Sequence, residues 1–400
     1  MSAKLYEVLP PPTERYTILG WLQKNLFRTI PDTIITIISS FMIIVIARPL
    51  ITWVFFTAKW EVIGANIRLI MVGRYPIDQM WRIWLVLLFV GLTVGLSWGI
   101  WVKGNRIENL IMFGFPFALA LLPLSGPSRI NWVLMGIISL GCMFIGKKYR
   151  MRLQKVVPYL WLLLVPIITI IIRGFAQNNM LPFIDTSYWG GFLITIILAV
   201  VSMVVSFPLG ILLAIGRQSK SPLIHSFSVF FIEVVRAVPL VTILFTAQLV
   251  LPLFLPQELT IDRLSRALVA ITLFSSAYMA EIIRGGLQAI PRGQYEASQA
   301  IGLNSFKSLQ LIILPQATRL VIPVIVAHSI SMFRDTSLVI IVGLLDLLGI
   351  AKTIIAQPTY LGTYVEVYAF VAALYWVFCY IMSHIGKRIE AQTEVSIAKS

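Results

Sequence analysis

Arg334, Asp335, Thr336 and Ser337 follow one another inside an otherwise apolar run. A guanidinium is a planar fork of donors that fits two carboxylate oxygens, and adjoining hydroxyls add further hydrogen bonds. Consecutive residues on a helix point about 100° apart, so Arg334 and Asp335 do not simply neutralise each other. In a span starting near residue 319 they lie about fifteen residues in, roughly 22 Å along a helix rising about 1.5 Å per residue. A charge at that depth costs at least about 2.5–3.5 kcal/mol, so a partner or a wet cavity must compensate it. Two readings stand. One is a polar pathway or gate in which Arg334 holds a carboxylate, with Thr336 and Ser337 as hydroxyl partners; the other is an ion pair with another span, or a local break in the helix.

Two more charged pairs share a spacing. Glu233 and Arg236 stand three apart on one helix face, followed by Pro239 as a kink, and Glu281 and Arg284 repeat the interval. Each pair can close on itself or act as a gate between helices. Glu281 also suits an ammonium group, although bracing the segment that follows it is the simpler role. Ser275, Ser276 and Tyr278 on the same run are either pathway hydroxyls or packing. His225, His328 and His384 are scattered with no ligand at metal spacing, so no metal site is expected. His328 lies six residues before Arg334, off its face, and reads as a core histidine. Nothing resembles the Ser/Lys or His/Glu arrangements of an intramembrane enzyme, so no catalytic residue is assigned.

The elements that carry these groups follow from composition. Hydrophobic residues make up 58% of the 400 and charged residues 12%, with mean hydropathy +0.88. Soluble domains hold about 45–50% apolar and about 25% charged residues, so here lipid must cover the surface. Apolar runs of about 20 residues cross a bilayer. Candidates are 34–56, 83–102, 107–124, 130–146, 156–173, 189–216, 226–255, 266–284, 319–347 and 366–386. The expected fold class is all-α and polytopic, with about ten transmembrane helices (eight to ten). Trp81, Trp84, Trp98 and Trp101 bracket the second span as interfacial belts do, and Gly91, Gly95 and Gly99 along it favour close helix packing.

The net charge of +15 sits in links between the spans, where it reads as orientation and headgroup contact rather than nucleic-acid binding. Link 147–155 holds Lys147, Lys148, Arg150, Arg152 and Lys155 with no acid, which marks a cytoplasmic side. Alternation from it puts both termini, 217–225 and 285–318 on that side. Link 57–82 dissents, being external yet carrying Lys59, Arg68, Arg74 and Arg82, and an interfacial helix there would account for it. The first thirty residues, with early charges and prolines at 10–12, are not a signal peptide and suit the cytoplasmic face. Cys142 and Cys379 lie in apolar runs and suit neither a disulfide nor a metal. The chain divides into an N-terminal segment 1–32, an apolar extension 33–175, a core 185–390 with a polar loop 287–318, and a tail 391–400. Polar groups inside spans concentrate in the core.

Residues 294–315 form a polar island between two of those spans. Pro291 can start a helix over 292–301, with Tyr295, Ala297 and Ala300 as a small apolar stripe. Gly302 suits a left-handed end, Asn304 or Ser305 can cap a second helix, and Pro315 would terminate it. The expected shape is helix, sharp turn, helix, fit for a groove in a partner; the plainer alternative is a surface loop.

Glu296-Ala297, Gly302, Ile312, Leu314 and Pro315 fall at the spacing E-A-A-x3-G-x9-I-x-L-P, with Ser298 where the pattern prefers Ala. This resembles the coupling loop of permease subunits in binding-protein-dependent ABC importers. Arg236-Ala-Val-Pro239-Leu240, Ala277 to Gly286 and Arg334-Asp-Thr-Ser-Leu338 resemble the polar amino-acid branch, although Ala237 and Val238 depart from its Gly-Thr. The resemblance covers 185–390, and more loosely the long N-terminal half. It implies a five-helix permease core in an inner (plasma) membrane and import of polar L-amino acids. It also implies ATPase coupling through Tyr295, Glu296, Ala297, Ser298, Ala300, Gly302, Leu314 and Pro315. No phosphate loop is present, so this chain is not expected to hydrolyse ATP, and the resemblance implies that ATP and Mg belong to separate ABC ATPase subunits. The implied partners are those ATPases, a second permease subunit (identical or related), an external amino-acid-binding protein and the bilayer. A secondary transporter driven by an ion gradient is the alternative; it would need paired broken helices in repeated halves.

Overall fold

The computed structural model describes residues 18–102, 106–121, 126–176, 181–256 and 260–397. The prolines at 10–12 and the last residues of the tail lie outside them. All regular elements among the described residues are helical, and the only β contacts are isolated bridges. The chain forms two compact units, Met1–Val62 and Ile63–Ser400.

The first unit holds α1 (Ile18–Leu26) and α2 (Ile30–Thr52), which runs on through a π turn at Trp53–Thr57. Thr29 caps α2 by accepting from the Asp32 backbone N–H at 3.3 Å. No residue of α2 is buried, as expected of a helix whose surface is made for lipid.

The second unit begins within α3 (Glu61–Val72), the helix expected in the dissenting link, and continues with α4 (Met80–Trp101), α5 (Arg106–Ala120), α6 (Gly126–Lys148) and α7 (Arg150–Arg173). The core then supplies α8 (Gly191–Arg217), α9 (Pro222–Ala237), α10 (Leu240–Phe254), α11 (Arg263–Gln288), the short α12 (Arg292–Ala300), α13 (Ser305–Val342), α14 (Leu347–Ile355) and α15 (Tyr364–Ile397). Among the described residues, seven helices are long and apolar enough to cross a membrane, and up to nine if two bent pairs each count as one span. Each of the ten expected runs is helical over most of its described residues. However, α5 has only 15 residues, α7 is bent by 50°, and the expected span 226–255 is broken by 106° between α9 and α10. Pro239 sits at that break, which is far sharper than a kink. It removes a helix donor, while Val238 takes the extended backbone that a residue before proline prefers.

Glycine sets the spacing of the extension. A Cβ at Gly95 or Gly99 would collide with the carbonyl oxygens of Ser139 or Met143, so α4 and α6 meet backbone to backbone. The tryptophans brace the same bundle, with Trp84 edge-on to Trp132 and Trp98 edge-on to Phe113.

Two ends of this unit can be told apart by contacts. The Arg173 guanidinium of α7 lies 4.0 Å from Asp262 at the start of α11, and Gly191 at the start of α8 donates to Leu345 O at 2.8 Å. We call this the far end. The loop end holds the other termini of α7, α8 and α11, and with them link 147–155, Arg217 and the island. The acid-free basic link and the island thus share one end, as charge alternation requires.

Candidate functional site

Five charged residues converge at the loop end. Arg217, closing α8, reaches Glu233 at 2.9 Å and Glu281 at 2.7 Å. Glu281 also meets Arg284 at 2.7 Å and, more loosely, Arg236 at 3.6 Å. A single carboxylate on α11, with 14% of its side chain exposed, therefore meets guanidinium groups from three helices. The Glu281–Arg284 pair is present as expected. The internal Glu233–Arg236 pair is not: each partner reaches across to a different helix, because the break after Ala237 turns α9 against α8 and α11. Arg217, counted from sequence only as an orientation mark, is a hub.

Above this network stands a polar column. Arg236 lies over the Tyr278 ring, 5.5 Å from its centroid, and Tyr278 stacks on His328 at 6.0 Å. His328 Nε2 is 2.9 Å from Ser275 Oγ, which donates to Ser206 Oγ at 3.0 Å. One turn further, Thr272 donates to Ser202 at 3.4 Å. Ser275 and Ser276 are buried rather than lining an open surface; the Ser275 hydroxyl joins α8, α11 and α13, whereas that of Ser276 donates to Leu273 O of its own helix. Tyr278 is half-buried at the edge of the column. His328 is the satisfied histidine expected, yet it belongs to this polar set; helix spacing alone could not reveal a contact across helices.

Arg334 and Asp335 sit where the α-helical part of α13 becomes 3-10 at Thr336–Val342, the local break that sequence left open. The span starts at Ser305 and ends at Val342, so they lie nearer the far end than a start at 319 implied. Arg334 is exposed, Asp335 and Ser337 half-buried, and Thr336 buried with its hydroxyl on Phe333 O at 2.8 Å. Among the described residues neither Arg334 nor Asp335 forms a side-chain ion pair.

The island is a helix, a turn and a helix. Pro291 caps α12, and Gly302 at φ +82° ends it. Leu303 N–H donates to Ser298 O and Gly302 N–H to Gln299 O, the paired bonds of a glycine-terminated helix. Asn304 then caps α13 by accepting from Lys307 N–H at 2.9 Å. Pro315 does not terminate a second helix. A π turn at Leu309–Ile313 lets Leu314 N–H donate to Leu309 O, and the helix continues through Pro315 as the span itself. Ser298 is buried and hydrogen-bonds Ser308 and Tyr295 O, so the residue that departs from the alanine pattern ties α12 to α13. Tyr295 and Leu314 pack on Ile283, Leu287 and Ile313, which removes Tyr295 from the exposed stripe. Glu296, Ala297, Ala300 and Gly302 are exposed. A groove of about 430 Å³, lined by Gly216, Ser219, Ile224, Tyr295, Gln299 and Leu309 among others, undercuts α12.

Polar groups at the far end bind backbone instead. Asp262 caps α11 and accepts from Ser265 and Thr186; burial works against its charge, but these donors and Arg173 hold its carboxyl below the usual range. Asp346, between two spans, caps α14 through Gly349 and Leu348 N–H groups, and burial raises its pKa to about 6. Arg82 is fully buried and donates to Pro182 O at 3.0 Å and Ile171 O at 3.4 Å. A charge enclosed in this way carries no weight as an orientation signal, which removes part of the dissent in link 57–82.

The chain is similar to known proteins over nearly its whole length. Residues 206–394 match the family described as binding-protein-dependent transport system inner membrane component. The chain is 35% identical to the inner membrane amino-acid ABC transporter permease protein YhdY of Escherichia coli (strain K12), covering 92% of this chain and 91% of that protein. It is also 35% identical to the glutamate/glutamine/aspartate/asparagine transport system permease protein BztC of Rhodobacter capsulatus, covering 95% of each. The glutamate/aspartate import permease protein GltK of Escherichia coli O157:H7 is 38% identical over 47% of this chain and 84% of its own. A solved amino acid ABC transporter with histidines aligns at TM-score 0.46 and 29% identity, over 50% of this chain and 92% of that one. The extension is thus shared with the two long relatives. This chain belongs to the permease subunits of amino-acid ABC transporters, multi-pass membrane components of binding-protein-dependent import.

Proposed function

We propose that this permease admits polar L-amino acids, with acidic ones and their amides foremost, through the polar groups of α11 and α13, and that residues 294–315 couple it to its ATPase. The subunit hydrolyses no ATP itself; ATP drives transport through separate subunits. The exposed face of α12, held by Gly302 and braced on α11 through Tyr295, carries the coupling reading. Chain continuity from α11 into α12 and from the turn into α13 would convert movement of the loop into tilting of two spans. In this reading the loop end, both termini and link 147–155 face the cytoplasm. A binding protein delivers substrate at the far end, and a second permease completes the pathway. Arg334 holds the incoming carboxylate, with Asp335, Thr336 and Ser337 beside it. The substrate class is supported by the names of BztC and GltK, which specify glutamate and aspartate systems.

The test is uptake of L-glutamate into proteoliposomes holding the complete transporter. Uptake should need ATP and survive an ionophore. Gly302→Val and Glu296→Lys should abolish uptake while assembly persists, and Arg334→Ala should lower uptake about tenfold, the worth of one charge-assisted hydrogen bond, while basal ATP hydrolysis continues. Uptake that ignores ATP and collapses with the ionophore would overturn the reading.

A further inference from the structure

We propose that Arg236 is a second carboxylate station on the substrate's path, and that occupying it loosens the charge network holding the root of the coupling helix. The proposal rests on the amino-acid reading above. Arg236 is the weakest arm of that network, at 3.6 Å from Glu281, whereas Arg217 and Arg284 each stand at 2.7 Å. Its buried Nε has no hydrogen-bond partner, so its donor fork is only partly used. Its side chain is about one third exposed, and its guanidinium lies over Tyr278, at the foot of the column that runs through His328 to Ser275 and Ser206. An arginine stacked on an aromatic ring keeps its in-plane donors available to a carboxylate.

Two guanidinium groups thus stand at different depths of the core, Arg334 nearer the far end and Arg236 nearer the loop end. A carboxylate that passes from the first to the second competes there with Glu281 for the same donors. When it wins, Glu281 keeps Arg217 and Arg284 but loses its tie to α9. Glu281 stands two turns before the end of α11, which passes through Pro291 directly into α12. Substrate arrival is in this way felt at the coupling helix as the loss of one cross-helix bond.

The experiment measures ATP hydrolysis by the complete transporter in lipid nanodiscs, with the binding protein present and with or without L-glutamate, together with uptake in proteoliposomes. Arg236→Gln should assemble normally, lose stimulation by L-glutamate so that the two rates agree, and lower uptake about tenfold. Arg236→Lys, which keeps charge but not the fork, should recover part of both. Arg173→Gln, which removes a far-end charge outside this network, should keep the ratio of stimulated to basal hydrolysis. Stimulation by L-glutamate that survives Arg236→Gln would overturn the proposal, as would equal loss of stimulation in Arg173→Gln, since a general loss of stability predicts both alike. Failure of wild type to take up any amino acid with ATP would instead overturn the functional reading on which this rests.

Discussion

At the far end, Arg82, Asp262 and Asp346 bind mainly carbonyl oxygens, backbone N–H groups and hydroxyls, with the loose Arg173–Asp262 contact at 4.0 Å the ion pair found there among the described residues. At the loop end, Arg217, Glu233, Arg236, Glu281 and Arg284 bind one another across three helices. Backbone partners offer one geometry, because the helix that presents them cannot re-aim them. Charged side chains can exchange partners at little cost, since each move replaces one ion pair by another. The two ends therefore differ as an anchor differs from a joint, and the glycine contacts of Gly73 with Gly190, and of Gly191 with Ile70 O, reinforce the anchor.

The contrast can be broken most decisively at Arg82. Arg82→Leu leaves two buried carbonyl groups without donors and should lower unfolding stability by about 3 kcal/mol, read by denaturant unfolding in detergent micelles. Wild-type stability would mean the far end is no anchor. Next in size is a pH effect. The folded pKa of Asp346, about 6, lies above its ordinary 3.8, so the folded chain binds that proton more tightly than the unfolded one. Its contribution to stability should therefore fall by about 2–3 kcal/mol as pH rises from about 4 to about 6, and stay lower above that. Asp346→Asn, which still caps a helix, should flatten this dependence in thermal unfolding against pH. An unchanged slope would place the titration elsewhere; Asp262, held low, has the opposite sign and loses its contribution as pH falls. The smallest effect belongs to Glu233, 55% of whose side chain is exposed. Glu233→Gln should change stability by less than about 1 kcal/mol. A loss as large as that of Arg82→Leu would show both ends built alike.

Hydropathy made the spans legible because a bilayer imposes length and apolarity on each one separately. The island was legible for a related reason: Pro291, Gly302 and Asn304 act within a few residues of themselves. What sequence hid was pairing across helices. Glu233 and Arg236 sit at the spacing of an internal pair, yet the break after Ala237 gives each a different neighbour. Arg217 and Arg82 look alike as basic residues flanking spans, but one is a hub and the other a buried donor to carbonyls. Pro315 read as a stop because the rule for proline assumes an α-helix, and the π turn before it removes the conflict.

That π turn has a mechanical consequence. Between Ser308 and Leu314 the ring is one residue wider than in the rest of α13, and its bonds can pass to the α pattern one residue at a time. The helix that links the turn at Gly302 to Arg334 therefore has two interruptions of its hydrogen-bond ladder, this π turn and Pro323, at which it can twist or bend. A twist imposed at the loop can be absorbed as a sliding defect before it reaches the polar face, so the shaft transmits large displacements and filters small ones.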